Sequence, residues 1–293
     1  MLSSTVTHAT PRLVLGRAAP AGERRRRLVT TGPAADGLCS PAGLRGRPWL
    51  GRLRQALAED LFVLHFQPIV SLHDGRVSHH EALLRLADEP DGRLVAPGRF
   101  LPAAERYGLI REIDRMVLEK VAAVLALDRD DSGPCIAMNL SAVSVSEADM
   151  LEHLERRLAD YGVEPERLVI ELTETAAISD MATAKDFCAG LQALGCGVAL
   201  DDFGAGFGSF QYLKHLPFSQ LKIDGEFIRG LTRSRTDQLV VKALVGVVQG
   251  LGRETIAEFV GDRATMRMLR EFGVDYAQGY EVGRPQPALA LAL

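Results

Sequence analysis

The chain has 293 residues, of which 47% are hydrophobic and 25% are charged, and its formal net charge is −4. This composition is ordinary for a soluble globular protein, and the length permits one large α/β domain or two medium ones. There is no run of 18 apolar residues, which excludes a helical membrane span.

The cysteines exclude two further classes of protein. The chain has four of them, at Cys39, Cys135, Cys188 and Cys196, and none forms a CxxC pair. This spacing predicts neither a disulfide framework nor a zinc site. We therefore expect a protein of the reducing cytoplasm.

The first 47 residues differ from the rest of the chain in charge and in texture. Eight Arg and two acids give this segment a net charge of +6, so the remainder carries −10. The segment is rich in Gly, Pro, Ala, Ser and Thr and has no hydrophobic periodicity. We predict that residues 1–47 form a disordered tail or linker. A targeting peptide, or an arm that binds nucleic acid or anionic lipid, is the alternative.

From about residue 48 onwards, short apolar runs alternate with longer amphipathic stretches. Eight runs are predicted as strands, at 61–72, 76–86, 135–141, 167–175, 197–203, 220–228, 254–260 and 275–283. Helical patterns lie between them, for example at 111–127 and 237–251. In the second of these, a predicted apolar stripe with a period of 3.6 residues consists of Leu239, Val240, Ala243, Leu244 and Val247.

One stretch, HHEALLRLADEP at 79–90, fits either a helix or a strand. Its Ala, Leu and Arg residues favour a surface helix with an i,i+4 ion pair between Glu81 and Arg85. On a strand, alternation would instead place His79, Glu81 and Arg85 on one face. A carboxylate and a guanidinium would then point together at whatever that face encloses.

The rhythm of strands and helices predicts the fold. Eight strands, most followed by a helix, in about 240 residues are typical of a (β/α)8 barrel. Only residues 73–75 separate the first two strands, which suits a hairpin rather than a helical crossover. We therefore predict an α/β fold of the modified TIM-barrel type with one antiparallel strand near the start. A doubly wound open sheet is the alternative, although no glycine-rich phosphate loop follows an early strand.

Polar side chains recur within these runs or at their C-terminal ends. They are Glu81, Asn139, Glu171, Asp201, Asp202, Lys222, Asp224, Glu258 and Gln278. The C-terminal ends of barrel strands meet at one face, so these residues would lie close together. Six carboxylates at one face would repel each other unless cations lie among them.

The expected cations are Mg²⁺ or Mn²⁺, because all the candidate ligands are hard oxygen donors. His79 and His80 do not form a metal pair, since adjacent strand residues face opposite ways. The Asp201–Asp202 pair can bridge two ions if the second Asp lies in a turn, and two ions suit phosphodiester hydrolysis. Taken singly, each candidate is more often a surface charge or a turn residue, and it is their joint placement on successive strands that favours a site.

From about residue 61 to 285 the chain resembles the EAL domain, a family of bacterial cyclic di-GMP phosphodiesterases. The tripeptide that names the family is present as Glu81–Ala82–Leu83, followed by Leu84 and Arg85. Further motifs in family order are FQPIV, AMNLSA, IELTET, LDDFGAGFGSF, YLKHLP, LKIDGEFI, IAEFV, and AQGY with its following GRP. They cover about three-quarters of the chain.

The resemblance implies a modified TIM barrel with two Mg²⁺ or Mn²⁺ ions that opens one phosphodiester bond of cyclic di-GMP, giving linear pGpG. It implies that one ion is held by Glu81, Asn139, Glu171 and Asp201, and the second by Asp201 and Asp202. The catalytic group would be Glu81, Lys222 and Glu258, of which the last two orient or deprotonate the attacking water. Contacts to substrate or to the edge of the site would come from Gln67, Arg85, Asp224 and Gln278. Glu174 would brace the loop after Asp202, which couples the site to a dimer interface.

The sequence departs from the common family pattern at several positions. A second Glu is usual where this chain has Gly261, and Gly is usual where it has Phe259, although one branch of the family has Phe. If the missing acid supports a metal ligand, its loss would lower metal affinity or activity by about 10–100-fold. In the glycine-rich loop, Ala205, Phe207 and Gly208 replace the usual Thr, Tyr and Ser.

Two main hypotheses follow: an active cyclic di-GMP phosphodiesterase, and a non-catalytic EAL module that binds cyclic di-GMP and signals through protein contacts. Degenerate modules lose the EAL Glu, the Asp pair or the Lys, and this chain keeps all of them, which favours the enzyme. A nucleic-acid-binding protein is a third reading, but the acidic remainder of the chain argues against it. We expect a homodimer, with any sensor or cyclase domain outside this sequence.

Overall fold

A computed structural model of the chain describes residues 47–88, 93–127, 135–174, 180–204 and 211–287. The segment predicted to be disordered lies outside these ranges, apart from its last residue. Ala205, Phe207 and Gly208 of the glycine-rich loop also lie outside them.

The described strands and helices alternate along most of the chain. The strands are β1 Phe62–Ser71, β2 Val77–Asp88, β3 Arg93–Val95, β4 Cys135–Asn139, β5 Leu168–Thr173, β6 Gly197–Phe203, β7 Gln220–Ile223, β8 Glu254–Ala257, β9 Tyr276–Gln278 and β10 Gln286–Pro287. The α-helices are α1 Arg47–Ala58, α2 Leu101–Arg106, α3 Ile110–Leu125, α4 Ala142–Val145, α5 Met150–Tyr161, α6 Met181–Leu194, α7 Gln211–His215, α8 Gly225–Arg229, α9 Arg235–Gly250 and α10 Arg263–Glu271. None of these helices is long and apolar enough to cross a membrane.

Eight of the described strands close into a barrel, in the order β1, β9, β8, β7, β6, β5, β4 and β2, with β2 pairing back to β1. Neighbours from β2 round to β9 are parallel, whereas β1 is antiparallel to both β2 and β9. The short strands β3 and β10 extend the sheet at its margins. The predicted modified TIM barrel with one antiparallel strand near the start is confirmed, and the open doubly wound sheet is excluded.

The ambiguous stretch at 79–90 is strand as far as it is described. β1 and β2 form the predicted hairpin, whose turn contains Gly75 with a φ of 75°. Glu81 pairs with Gln67 of β1 on one side and with Ala137 of β4 on the other. Backbone pairing on both sides outweighs the helix propensity of the sequence.

Three of the predicted strands end at least three residues earlier than expected. The run 275–283 is strand only from Tyr276 to Gln278, and the other two ends are specified locally. The run 220–228 is strand only to Ile223, because Asp224 caps helix α8 by accepting a hydrogen bond from the Glu226 N–H at 2.6 Å. The run 254–260 is strand only to Ala257. Beyond it, Phe259 has a φ of 52°, which strand backbone does not adopt.

The apolar stripe predicted for α9 is wrong in register. Of the five residues in that prediction only Leu244 is buried, whereas Leu239 is 54% exposed and Val247 is 39% exposed. The face that meets the barrel consists of Val241, Leu244, Val245 and Val248. Both sets repeat with the helical period because the helix is apolar on more than one side. Periodicity therefore fixes the type of element but not the face that packs.

The candidate site residues lie above a small apolar layer inside the barrel. Ala137, Val169 and Ala199 form a cluster separate from the main core, which fills the space between strands and helices. Each precedes a polar residue of β4, β5 or β6 by two positions and so shares its face. The strand period thus directs the polar residues to the inside of the barrel, at its C-terminal face.

The register of α9 can be tested with two neighbouring substitutions. We expect Val248→Ala to lower the free energy of unfolding by about 2 kcal/mol, because it leaves a cavity in the core. Val247→Ala, at a partly exposed position, should change it by less than about 0.5 kcal/mol. Urea unfolding followed by circular dichroism would measure both. Equal losses, or a larger loss at Val247, would contradict the observed register.

Candidate active site

The C-terminal ends of the barrel strands bring most of the predicted site residues together. They are Glu81 on β2, Asn139 on β4, Glu171 on β5, Asp201 and Asp202 on β6, Lys222 on β7, Glu258 directly after β8, and Gln278 on β9. Residues up to about 200 positions apart therefore meet, as the hydrogen bond between Gln278 and Glu81 shows. This convergence is the usual origin of active sites in barrels of this kind.

The ammonium group of Lys222 is surrounded by carboxylates. Its Nζ lies 2.8 Å from Glu171, 2.9 Å from Glu258, 3.1 Å from Asp201 and 3.5 Å from Glu81. The Lys222 side chain is completely buried. Burial by itself lowers the pKa of Lys222, but these acids outweigh it and raise that pKa well above its ordinary value. Lys222 is thus a permanently charged, buried counter-ion.

Both oxygens of Glu81 accept hydrogen bonds from side-chain amides. Asn139 donates its Nδ2–H to Oε1 at 2.8 Å, and Gln278 donates its Nε2–H to Oε2 at 2.6 Å. Burial raises the pKa of Glu81, but Lys222 and the two amides together lower it below its ordinary value. Glu81 is therefore held as a carboxylate.

The other acids of the cluster are less well compensated. Burial, reinforced by the charge of Glu81, raises the pKa of Glu171 well above its ordinary range. Burial raises the pKa of Glu258 to about 8 against the opposing charge of Lys222. Burial and the neighbouring Asp201 raise the pKa of Asp202. One ammonium group does not neutralise this many acids, so the cluster has room for further positive charge.

The arrangement of the acids fits divalent cations. One carboxylate oxygen from each of Asp201, Asp202 and Glu258 lies within 4.8 Å of the others. Among the described residues, Glu171 Oε1 and Asp201 Oδ1 are buried without a hydrogen-bond partner, although the latter lies 3.1 Å from Lys222 Nζ. A cation would satisfy such oxygens, and an all-oxygen donor set favours Mg²⁺ or Mn²⁺.

An irregularity in β6 lets two adjacent acids face the same site. The pairing register with β7 shifts between Leu200 and Phe203, and Asp202 has a φ of 55°. In a regular strand Asp201 and Asp202 would face opposite sides of the sheet. The bulge re-aims Asp202 while it is still within the strand, rather than in the turn that the sequence suggested.

The remaining predicted residues lie around the cluster and make local contacts. Gln67 donates to the Gly283 carbonyl at 3.0 Å and accepts from Gln278 at 3.3 Å. Glu174 accepts a hydrogen bond from the Gly204 N–H at 3.3 Å, at the start of the glycine-rich loop. Arg85 donates to the carbonyl of Leu84 at 2.8 Å, and Asp224 is the cap of α8. These two side chains are thus engaged locally rather than with the acids around Lys222.

Sequence reasoning missed a cavity of about 520 Å³ beside Asn139. Its lining includes the apolar side chains of Leu84, Leu101 and Ile110 and the buried carboxylate of Asp114. Burial raises the pKa of Asp114 although Ser141 and Ser144 donate hydrogen bonds to it. The sequence signal for this cavity was Asp114, an acid among the apolar positions of α3.

The role of Lys222 as counter-ion can be tested without substrate. In EDTA at pH 8 we expect Lys222→Met to lower the free energy of unfolding by about 3–5 kcal/mol, because it leaves buried carboxylates without a cation. Lys185→Met, at an exposed position of α6, is the matched control and should have little effect. Urea unfolding measures both, and equal stability of the two variants would contradict the assignment.

The raised pKa of Glu258 predicts a pH dependence of stability. Since the folded protein holds this proton up to about pH 8, whereas an unfolded Glu loses it near 4.5, the contribution of Glu258 is present at low pH and is lost as the pH rises to 8. In EDTA, the free energy of unfolding should fall between pH 6 and 8, by at most about 1.4 kcal/mol per pH unit from this group. Glu258→Gln should flatten that slope. Parallel slopes for the two proteins in thermal unfolding experiments would rule out this titration.

The sequence of this chain is similar to those of a known family and of several curated proteins. Residues 50–285 match the family model described as EAL domain. The chain is 38% identical over 241 residues to the cyclic di-GMP phosphodiesterase PdeB of Shewanella oneidensis, covering 82% of this chain and 28% of PdeB. It is 36% identical to the cyclic di-GMP phosphodiesterase PdeF of Escherichia coli K12, covering 82% of this chain and 32% of PdeF. The chain thus spans about a third of the length of these relatives.

Two solved structures with bound ligand resemble the barrel closely. The PaMucR phosphodiesterase in complex with c-di-GMP superposes with a TM-score of 0.79 at 38% identity, covering 84% of this chain and all of that one. The FimX EAL domain from Pseudomonas aeruginosa bound to c-di-GMP gives a TM-score of 0.76 at 33% identity, covering 82% and 97% of the two chains. The family match, the sequence identity and the shared barrel agree: this chain belongs to the EAL-domain family.

Proposed function

We propose that the chain hydrolyses cyclic di-GMP to linear pGpG by a two-metal phosphodiesterase mechanism. The observation that carries the proposal is the cluster of buried acids around Lys222, extended by the exposed Asp202, with one oxygen each of Asp201, Asp202 and Glu258 within 4.8 Å of one another. It lies in a barrel whose relatives include proteins named cyclic di-GMP phosphodiesterases.

The donor set divides between two ions of Mg²⁺ or Mn²⁺. Glu81, Asn139, Glu171 and Asp201 would hold one ion, and Asp201 and Asp202 the other. Glu258 is close enough to these Asp residues to join the second set. The bound ions would supply Lewis-acid polarisation of the phosphoryl oxygens and lower the pKa of a bound water.

The protein's own groups provide the proton acceptor and a fixed positive charge. Glu258 lies 2.9 Å from Lys222 and beside the Asp pair, so its carboxylate would orient the attacking water or take its proton. The Lys222 ammonium stabilises negative charge that develops on the phosphoryl group. Glu81 is the third member of the catalytic group, and its own carboxylate stays ionised.

Recognition of the substrate would use the rim and the neighbouring cavity. Arg85, which is half-buried on β2, suits contact with a phosphate, and Gln67, Asp224 and Gln278 would line the approach. The cavity beside Asn139 combines apolar walls with the carboxylate of Asp114. The ring N–H and amino group of guanine are donors that pair with a carboxylate acceptor, so one base of cyclic di-GMP fits this cavity.

We further propose that the chain forms a homodimer. Leu239, Val247 and Leu251 are large apolar side chains exposed along α9 and just after it, and a second copy would bury them. Glu174, which holds the Gly204 N–H at the start of the glycine-rich loop, would couple the site to that interface.

The cellular setting is part of the same proposal. Cys135, Cys188 and Cys196 are free thiols among the described residues, which suits the reducing cytoplasm. The greater length of PdeB and PdeF fits regulation by a sensor or cyclase domain outside the region matched here.

The activity is tested by incubating the purified protein with cyclic di-GMP and Mn²⁺ and separating the products by chromatography. We expect pGpG to accumulate, EDTA to abolish the reaction, and Asp201→Asn to lower kcat at least about 100-fold because both ions lose a ligand. Asp186→Asn, an exposed acid on α6, is the matched control and should leave turnover unchanged.

The alternative function, a catalytically weak or inactive module that acts as a cyclic di-GMP receptor, has a distinct outcome in the same experiment. Tight binding of the nucleotide by equilibrium dialysis without formation of pGpG would support it. Gly261 would then be the first position to restore, since among the described residues a Cβ there would meet only the Phe259 carbonyl oxygen, at 3.9 Å. The first side-chain atom of a Gly261→Glu variant therefore has room.

A further inference from the structure

Two residues with unusual backbone conformation flank the acidic cluster. Asp202 has a φ of 55° and Phe259 has a φ of 52°. Asp tolerates this region through its short polar side chain, whereas a bulky residue such as Phe is rarely found there. Such a conformation persists only where the surrounding structure enforces it. The contacts of Phe259, which directly follows Glu258, therefore need an explanation.

The ring of Phe259 is held by the two ends of helix α8. It lies against the backbone of Gly225, where an added Cβ would be 2.2 Å from the ring carbon Cδ2 and 2.7 Å from Cγ. The guanidinium carbon of Arg229 lies 4.0 Å from the ring centroid, within the range of a cation–π contact. The rest of the ring is open, and Phe259 is 53% exposed. No larger residue than Gly fits at position 225 while the ring stays in place.

Helix α8 also contacts the strand end that carries the aspartates. A Cβ on Gly204 would lie 2.5 Å from Cε2 of Phe227, so this ring packs on the backbone two residues after Asp202. Backbone hydrogen bonds join the same strand ends: Asp224 N–H donates to the Phe203 carbonyl at 3.3 Å, and Glu258 N–H donates to the Ile223 carbonyl at 3.2 Å. The five residues of α8 therefore form a spacer between the end of β6 and the end of β8.

We propose that Phe259 is a positioning residue which, by packing on Gly225, fixes Glu258 relative to Asp201 and Asp202 and thereby sets the affinity of the second metal ion. The inference rests on the proposed function, because it assumes that these acids bind metal. Under this proposal, the residue allowed at position 225 depends on the residue at position 259. A side chain at 225 is compatible with the site only if the ring at 259 is absent, and Gly at 259 adopts a positive φ without strain.

A double-mutant cycle tests this dependence. The variants are Gly225→Ala, Phe259→Gly and the two combined, with Gly51→Ala in α1 as control, since a Cβ at Gly51 meets nothing within 4 Å. Mn²⁺ affinity is measured by calorimetry on EDTA-stripped protein, kcat and KM are measured with cyclic di-GMP, and melting temperature reports on folding.

Gly225→Ala should lower Mn²⁺ affinity and kcat by at least about ten-fold, because the ring is displaced and carries Glu258 with it. Its KM should change by less than about three-fold, since Gln67, Arg85 and Gln278 of the substrate rim lie on other strands. Phe259→Gly should lower Mn²⁺ affinity about three- to ten-fold through the lost packing. The double variant should match Phe259→Gly alone, so that removing the ring rescues the alanine.

Additive losses in the double variant, or wild-type Mn²⁺ affinity in both single variants, would overturn the positioning role. If Gly225→Ala does not fold, Phe259→Gly with unchanged Mn²⁺ affinity overturns it alone. Wild-type protein that neither binds Mn²⁺ nor forms pGpG would instead overturn the proposed function, and the metal role of Phe259 with it. If the wild-type protein binds Mn²⁺ and forms pGpG, and the variants bind Mn²⁺ with the same affinity, only the inference about Phe259 is refuted.

Discussion

The interaction on which the site depends is the contact between one buried ammonium and several buried carboxylates. Lys222 lies within 3.5 Å of Glu81, Glu171, Asp201 and Glu258, all of them removed from water. Charges buried in this way are destabilising unless they are paired, and one ammonium cannot pair with every acid. Two amides donate hydrogen bonds to Glu81, whereas one oxygen of Glu171 and one of Asp201 accept none from the part of the chain that the structure describes. The acids that Lys222 does not neutralise destabilise the metal-free protein, and the same acids can bind cations.

The barrel tolerates this cluster because its strand ends are specified individually. A regular parallel strand would present one acid per strand end to the interior. The bulge in β6 adds a second acid, and the cap at Asp224 ends β7 one residue after Lys222. The positive φ of Phe259 turns the chain directly after Glu258. Each irregularity lies within two residues of a charged group of the site. Conformations that are locally unfavourable are thus concentrated where they aim functional side chains.

The sequence predicted the barrel and the identity of the clustered residues, but not the features that depend on packing. Period-2 alternation placed Glu81 and Arg85 on one strand face, and the order of the strands predicted that distant acids converge. The same reasoning failed for α9, where two apolar faces share one period and only the docked barrel selects Val241 over Leu239. It also missed Asp114, because the purpose of an acid in an apolar stripe is visible only once the cavity beside it is seen. The bulge at Asp202 leaves no trace in the pattern of apolar residues.

The two departures after β8 from the common family pattern differ in how the structure accommodates them. The large side chain at Phe259 is matched by the absence of one at Gly225 and by the cation of Arg229, so the substitution is compensated by its neighbours. Gly261 has no such counterpart: among the described residues, a Cβ there would meet only a backbone oxygen, at 3.9 Å, and no side chain within 4 Å takes the place of the acid usual at that position. An exchange that is compensated by packing preserves the geometry of Glu258. An uncompensated loss of charge instead changes the electrostatics around the acids, so Gly261 is the departure more able to alter metal affinity.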